Sequence, residues 1–439
     1  MKKGLKIVRR VGIVFLIMVL IVAAGTFTYL NYKAVIARHK IPETENYAAA
    51  VSDLAIPEDT VIVGLGEASH GNAEFQELKL TVFQKLVENY GCRAFGLELD
   101  YGEGMLLNDY IQGGEGTAED ILSQSSFMIY HTKQMAALID WMREYNQNAS
   151  EGDRLRFYGF DMQNGCPGAL RLIAYCKENN INGIDEELSQ IEALTDEENW
   201  IEDDEIRAVK KALETVSTVV AEKNSDNAEY QYILHDCEVL LQLMNSYDDE
   251  AGDYADYRDQ CMAKNVGWIL EQEKQHGKEL LMIAAHNGHI SKSWWDGTGT
   301  FGGWLSDTYG DAYYAVGTDF FTADININTS SMESEEYVRS NHHFCSADPL
   351  AYQAKYMDDG MYYLDFSTVP EKSKKLYGQI HKETPMGNIG EGYSWVWYLF
   401  PNSVYRPSQV PADMYDAMIY VYDATPIEVW GNVGTLMEK

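Results

Sequence analysis

The chain has 439 residues, 46% of them hydrophobic and 23% charged, proportions that supply a sizeable core and exclude disordered and fibrous classes. With 34 basic against 68 acidic residues the net charge is -34, which repels phosphate backbones and argues against nucleic-acid binding. Six cysteines (Cys92, Cys166, Cys176, Cys237, Cys261, Cys345) show no C-x-x-C spacing, so neither a zinc knuckle nor a redox pair is indicated, and buried free thiols are expected.

The amino terminus reads as an anchor. Lys2, Lys3, Lys6, Arg9 and Arg10 precede an uncharged, largely apolar run from Val11 to Leu30. As a helix rising about 1.5 Å per residue, this run matches a hydrocarbon layer of about 30 Å. No acid occurs before Glu43. The positive-inside rule then puts residues 1–10 in the cytoplasm, 11–31 across the membrane and the remainder outside, a single-pass cell-membrane protein. A signal peptide cut near Val22-Ala23-Ala24-Gly25 is the alternative, and it also exports the body.

Residues 32–58 are a connector with Pro42 and Pro57, and the catalytic body is taken as 59–439. Thr60 to Leu65 predicts a short buried strand. Phe75, Leu78, Val82, Phe83, Leu86 and Val87 recur at helical spacing, predicting a helix over 72–90 that ends at Gly91. Ala94 to Leu99 predicts a second strand, completing a right-handed βαβ unit with parallel strands.

Further core strands are expected at Leu155 to Phe160, Leu280 to Ala285 and Tyr313 to Gly317, the first two preceded by amphipathic helices at 132–147 and 255–273. Late strands are expected at Tyr362 to Phe366 and Ala417 to Tyr422. The stretch from about 168 to 275 reads as helices with acidic exposed faces, a helical insertion or cap. The fold class is therefore α/β, a mainly parallel central sheet flanked by helices with a large helical insertion.

In open parallel sheets the ligand crevice lies beyond the carboxyl ends of the strands, so the polar residues following each strand should converge. These are Gly66-Glu67-Ala68-Ser69-His70-Gly71, then Glu98 and Asp100, then Asp161, then His286-Asn287-Gly288-His289. Glu67 and His70 are spaced for the carboxylate to orient the imidazole and raise its basicity, with glycines permitting a tight backbone. A single E-x-x-H is commonly a solvated helix start, and a lone histidine after a strand is commonly a structural hydrogen bonder. The gathering of several such groups on one rim is what favours chemistry. Asp161 reads either as an anchor behind the site or, the reading preferred, as a strand-end turn acid, and His342-His343-x-Cys345 as a loop, because adjacent side chains rarely face one ion. A serine nucleophile elbow needs G-x-S-x-G, whereas Glu67 stands two residues before Ser69.

Gly64-Leu-Gly-Glu67-Ala-Ser-His70-Gly71 with Glu74-Phe75, Ala94-Phe-Gly-Leu-Glu98 and Ala284-Ala-His286-Asn287-Gly-His289-Ile290 resembles the erythromycin-esterase-like family. The resemblance continues through Trp141-Met-Arg143, Phe157-Tyr-Gly-Phe-Asp161, Tyr257-Arg258-Asp259 and Gly302-Gly-Trp-Leu305. It implies a hydrolase in which His70 is the general base activating water, with Glu67, Glu98 and His286 around it. On that basis Glu67 and Glu98 are assigned to orient His70 and stabilise its imidazolium, and His286 to polarise the carbonyl of an ester or lactone. Lys79, Glu74 and His289 are the candidate substrate contacts. Lys79 stands where macrolide esterases of the family usually carry arginine, which removes a bidentate fork but keeps a charge. The membrane segment is foreign to the macrolide-resistance enzymes, so antibiotic resistance is not the evident role and the substrate stays open.

No cofactor is expected, and two rivals remain. Glu67, His70, Glu98 and His286 are also an oxygen and nitrogen set suited to a divalent metal such as Mn or Zn in a metal-dependent hydrolase or peptidase. A surface binding protein with a degenerate site would suit the many acids and 30 tyrosines.

Overall fold

A strand buried on both faces must be apolar almost throughout, and four short segments of this kind make the middle of the sheet. They are β1 (Ile62–Glu67), β2 (Ala94–Asp100), β3 (Arg156–Asp161) and β4 (Leu281–His286), each buried along nearly its whole length. The structure, a computed structural model, describes residues 2–196, 202–223, 229–248, 252–293, 299–330 and 338–430. Two of the predicted helices, α2 (Ala73–Tyr90) and α5 (Lys133–Asn148), follow the apolar periodicity, and Gly91 closes α2 at φ 70°. Between them lie β2, α3 (Tyr101–Ile111) and α4 (Ala118–Leu122).

Later strands are β5 (Tyr313–Asn328), β6 (Arg339–Cys345), β7 (Met361–Asp365) and β10 (Ala417–Ala424), while β8 (Thr384–Pro385) and β9 (Ser408–Gln409) pair separately. The sheet order is β3-β2-β4-β1-β5-β10-β7, parallel up to β10, with β7 antiparallel at the edge and β6 antiparallel to the far half of β5. Alternate strand residues face opposite layers. Val63, Leu65, Leu97, Met282 and Ala284 pack under α2 and α5. Ile62, Leu281, Ile283 and Ala315 pack under α10 (Tyr254–Gln275) and α12 (Phe301–Tyr309).

Two expectations change. β5 runs well past Gly317, and the His342-His343-x-Cys345 segment is strand β6, not a loop. The extension of β5 alternates buried Ala323, Ile325 and Ile327 with polar residues rather than continuing an unbroken apolar run, and β6 is half-exposed and largely polar. On β6 the two histidines diverge as the pleat requires: His342 stacks on Tyr393 at 3.7 Å and His343 bonds Asp324 at 2.8 Å.

The expected helical insertion is α6 (Cys166–Glu178), α7 (Asp185–Ile191), α8 (Asp203–Lys223) and α9 (Tyr230–Ser246), with a core of its own built from Leu172, Leu188, Leu213 and Leu240. Helix α10, inside the predicted insertion range, belongs instead to the sheet layer. Its Glu273 takes a bidentate pair from Arg156 and the Tyr158 hydroxyl at 2.8 Å. The six cysteines are free, four of them buried.

The first helix, α1 (Lys2–Ile36), has a segment Gly12–Ile36 long and apolar enough to cross a membrane. Its carboxyl end is fastened to the body. Arg406 donates to the Leu30 carbonyl at 2.6 Å, Lys33 to the Ser408 hydroxyl at 3.0 Å, and Ala34 and Ala37 are buried.

Gly104 marks the closest approach of α3 to β3: a Cβ there would collide with the backbone of Gly159. Gly104→Ala is expected to destabilise the protein by about 1–3 kcal/mol, the usual cost of overpacking. Gly152→Ala, where a Cβ meets nothing, serves as the control. Denaturant midpoints of the two variants check this, equal midpoints contradicting it.

Candidate active site

The parallel register sets Glu67, the last residue of β1, beside His286, the last residue of β4. Gly66 lacks a side chain because the Asn287 amide crosses β1 at that point to reach β5. Asn287 donates through Nδ2 to the Thr318 carbonyl at 2.7 Å and accepts the Thr318 N–H at 3.1 Å. Gly71 lies against the backbone of Asn326. Neither glycine is in the left-handed region, so close packing and not turn geometry requires them.

The loop after β1 is pinned on both sides. Ala68 donates to Thr318 Oγ1 at 2.9 Å and accepts from Ile389 at 2.8 Å. Ser69 serves this loop: its hydroxyl donates to Asn72 and accepts the Gly71 N–H. That leaves His70 beside Glu67, Nδ1 to Oε1 at 2.8 Å, while Lys79 reaches the other oxygen at 2.6 Å. Burial works against charge on Glu67, but Lys79 and then His70 outweigh it and hold the carboxyl down at about 2. An ionised Glu67 fixes the His70 proton on Nδ1 and leaves Nε2 free to accept one.

Glu98 organises the second half. It accepts the His286 N–H at 2.8 Å on one oxygen and Arg258 at 2.8 Å on the other, with His289 Nε2 at 3.3 Å. Burial opposes its ionisation, yet His289, Arg258 and His70 hold it well below the usual carboxylate range. His289 also lies 2.8 Å from Asp259. Burial disfavours charge there too, but Glu98 and Asp259 raise His289 to about 10. A protonated His289 donates Nε2–H to Glu98, so its 3.2 Å approach to Arg258 Nη1 is a contact between two donors rather than a hydrogen bond.

His286 is the opposite case. Burial, followed by the neighbouring His70, pushes it down to about 3, so the ring is neutral. Its Nδ1 accepts the Gly288 N–H at 3.3 Å, which assigns the proton to Nε2. That buried Nε2–H has no partner among the described residues, and the ring lies 4.9 Å from that of His70, centroid to centroid. The Tyr130 hydroxyl is likewise buried and unpartnered among the described residues, close enough to feel the charges of Glu67, Glu98 and Asp161. Together these groups offer a base, a neutral donor and a fixed counter-charge in one crevice.

Glu67, His70, Glu98, His286 and His289 are thus brought together. Lys79 and Glu74, expected to contact substrate, are engaged elsewhere: Lys79 is buried on Glu67, and Glu74 accepts from the backbone and hydroxyl of Thr425. Asp161 is more than a turn acid, since it grips the Arg258 guanidinium through Nε at 3.0 and 3.1 Å. Arg258 and Asp259 were legible only as part of a motif, without a role, although they fall on the buried side of α10. As metal ligands the four candidates fit poorly, because both oxygens of Glu67 and of Glu98 already face cationic or N–H donors. Among the described residues no three His, Cys, Asp or Glu side chains are arranged to hold an ion.

Cavity size does not mark the chemistry. A cleft of about 570 Å³ between Lys133, Arg339 and Thr425 shares no residue with the cluster. A smaller one of about 310 Å³ lies between the strand ends and the insertion, lined by Gln163, Asn164, Leu194, Leu243 and Met244. Gln163 also donates to Asp161 at 2.8 Å, which puts this cleft next to the charged cluster.

The family profile described as Erythromycin esterase matches residues 87–424, beginning near the end of α2, so that Glu67, His70 and Lys79 precede the matched region. Among curated proteins, the type II erythromycin esterase of Escherichia coli is 28% identical over 294 residues, 59% of this chain and 68% of that protein. The putative hydrolase YbfO of Bacillus subtilis is 22% identical over 53% of this chain and 56% of its own length, so the chain spans little more than half of it. Among solved structures, a Bacillus cereus protein superposes with a TM-score of 0.72 at 20% identity, covering 92% of this chain and 99% of that one. A succinoglycan biosynthesis protein gives 0.70 at 18%, covering 85% and 90%. A mutant of the erythromycin esterase EreC in its open conformation gives 0.59 at 17%, covering 86% and 93%. At these identities the structures establish a shared fold alone. The family match, spanning most of the chain, supports a hydrolase: this protein belongs to the erythromycin esterase family.

Proposed function

We propose that the chain hydrolyses an ester or lactone by water attack, with His70 as general base and the catalytic body held outside the cytoplasm by α1. The observation that carries the reading is the pairing of His70, its Nδ1 held by Glu67 at 2.8 Å, with the unpartnered Nε2–H of His286 one ring away. His70 Nε2 takes a proton from water as the oxygen bonds to the carbonyl carbon. The carbonyl oxygen, becoming an oxyanion, accepts from His286. A neutral donor suits this task, because an imidazolium beside His70 would repel the charge His70 acquires. On collapse the bond to the leaving oxygen breaks, and the His70 proton passes to it. Glu67 stabilises the transient imidazolium throughout.

Lys79, Arg258 and His289 act by positioning the two glutamates. The apolar wall of the cleft beside Gln163, from Leu194, Leu243 and Met244, suits the hydrocarbon part of a substrate. No metal is needed for this route. Export rests on the five basic residues ahead of an apolar helix.

Three outcomes are expected. His70→Ala lowers kcat/KM on any ester or lactone that the full chain turns over by about 10² to 10⁴, the usual contribution of a general base, with the thermal midpoint kept; undiminished turnover removes His70 from the mechanism. Lys79→Met leaves Glu67 buried with His70 alone and costs about 3 to 5 kcal/mol of stability by chemical denaturation, whereas Lys79→Arg recovers part of the loss.

The third concerns pH. A folded-state pKa raised from 6.5 to about 10 means that the stability contributed by His289 is complete below pH 6.5 and lost as pH rises toward 10. Glu67, depressed from 4.5 to about 2, contributes above pH 4.5 and loses that contribution as pH falls toward 2. Thermal midpoints of the wild type should therefore fall between pH 7 and 10 more steeply than those of His289→Gln; parallel curves would show that the imidazole carries no such charge.

A further inference from the structure

The way α1 is fastened to the body fixes which surface of the body stands at the membrane, if α1 is the anchor proposed above. Counting about 1.5 Å per residue, the uncharged run from Val11 fills a hydrocarbon layer of about 30 Å by Leu30. Leu30 therefore stands at the outer boundary, and Tyr29 and Tyr32, both exposed on the helix, occupy the depth where amphipathic aromatic rings collect. Arg406 ties this level to the body, donating to the Leu30 carbonyl at 2.6 Å and to the Asn402 side chain at 3.0 Å. The short helix Pro401–Val404 is consequently level with the lipid head groups.

The turn leading into that helix divides its aromatic residues between two sides. Tyr393, Trp397 and Tyr398 turn inward onto the core of the body. Trp395, Val396, Leu399 and Phe400 turn outward, Trp395 being 67% and Phe400 58% exposed. Nothing from Gly392 to Tyr405 carries a charge, in a chain whose net charge is -34. An apolar, aromatic, charge-free patch is costly in water, and on so acidic a protein it is the one kind of surface that anionic head groups would not repel.

We propose that Trp395, Leu399 and Phe400 insert into the outer interface of the bilayer beside α1, as a second contact that fixes the orientation of the body over the lipid. The surface is continuous with α1 through the Arg406 bridge, which is why lipid is the partner assigned.

The test uses the full chain in phosphatidylcholine nanodiscs, prepared with plain lipid or with lipid brominated high on its acyl chains. Tryptophan emission is compared between the wild type and Trp395→Phe, an exposed position whose change leaves the core intact. Brominated lipid is expected to quench the wild type, and Trp395→Phe to lose part of that quenching; equal quenching in the two overturns the proposal. Flotation of the same chains with plain vesicles reads the anchor by itself. A chain that floats without Trp395-dependent quenching keeps the anchor and loses the patch, and a chain that does not float loses both. Paired chains in a disc, with Trp395 shielded from brominated lipid, would assign the patch to self-association and overturn the membrane contact.

Discussion

A carboxylate buried at the end of a central strand can stay ionised only if cations meet it, and the site follows from how Glu67 meets that requirement. One oxygen takes Lys79 at 2.6 Å and the other takes His70 at 2.8 Å. Lys79 comes from the second turn of α2, the crossover helix that leaves β1, so the counter-charge is supplied by the same βαβ unit that ends in Glu67. The lysine thereby frees the histidine from being the sole counter-ion. Glu67 is thus met by a lysine ammonium as well as by an imidazole, so its charge does not rest on His70 alone.

Glu98 solves the same problem differently, and the difference sets the roles of the two histidines. Its charge is met by Arg258 and by His289, which is driven to the protonated side. His286 reaches Glu98 only through its backbone N–H. The ring thus gains little from the acid, remains neutral under burial, and its Nε2–H has no partner among the described residues. The rings of His70 and His286, 4.9 Å apart, would repel if both were charged; because Glu98 meets residue 286 through its backbone N–H and spends its side-chain contact on His289, the His286 ring stays neutral beside His70.

Much of this was legible before any coordinates. The core strands carry unbroken apolar runs, and in a parallel sheet their carboxyl ends share one rim, so Glu67, Glu98 and His286 could be grouped from their positions after Leu65, Leu97 and Ala285. Lys79 could be picked out as a charge but not oriented, since its place between Leu78 and Leu80 looks like an ordinary helix surface until Glu67 is seen beneath it. Arg258 and Asp259 were hidden for the same reason: charged residues near a helix start read as solvated, whereas Asp259 shares its face with the buried Met262 and Val266, three and seven residues on. Strand β6 was hidden because a half-exposed strand rich in histidine, serine and asparagine has no apolar signature at all.

The helix that carries Arg258 is held to β3 at both ends by buried ion pairs of opposite sense. At the start of the strand Arg156 meets Glu273 of α10; at its end Asp161 meets Arg258. The strand distance between residues 156 and 161 is about 17 Å and the helix distance between 258 and 273 about 22 Å, so the two elements lie antiparallel with their charges in step. The Glu273 pair is closed, its second oxygen sharing Arg156 and its first shared with Tyr158. The Arg258 pair is open on one side, and that side is where Glu98 docks. Midway, Asn265 donates to the Phe160 carbonyl at 3.0 Å and exchanges hydrogen bonds with Gln242 of α9, so the helical insertion is joined to the same helix. The insertion, α10, Arg258 and Glu98 are thus linked by one run of hydrogen bonds and ion pairs that ends on the backbone N–H of His286.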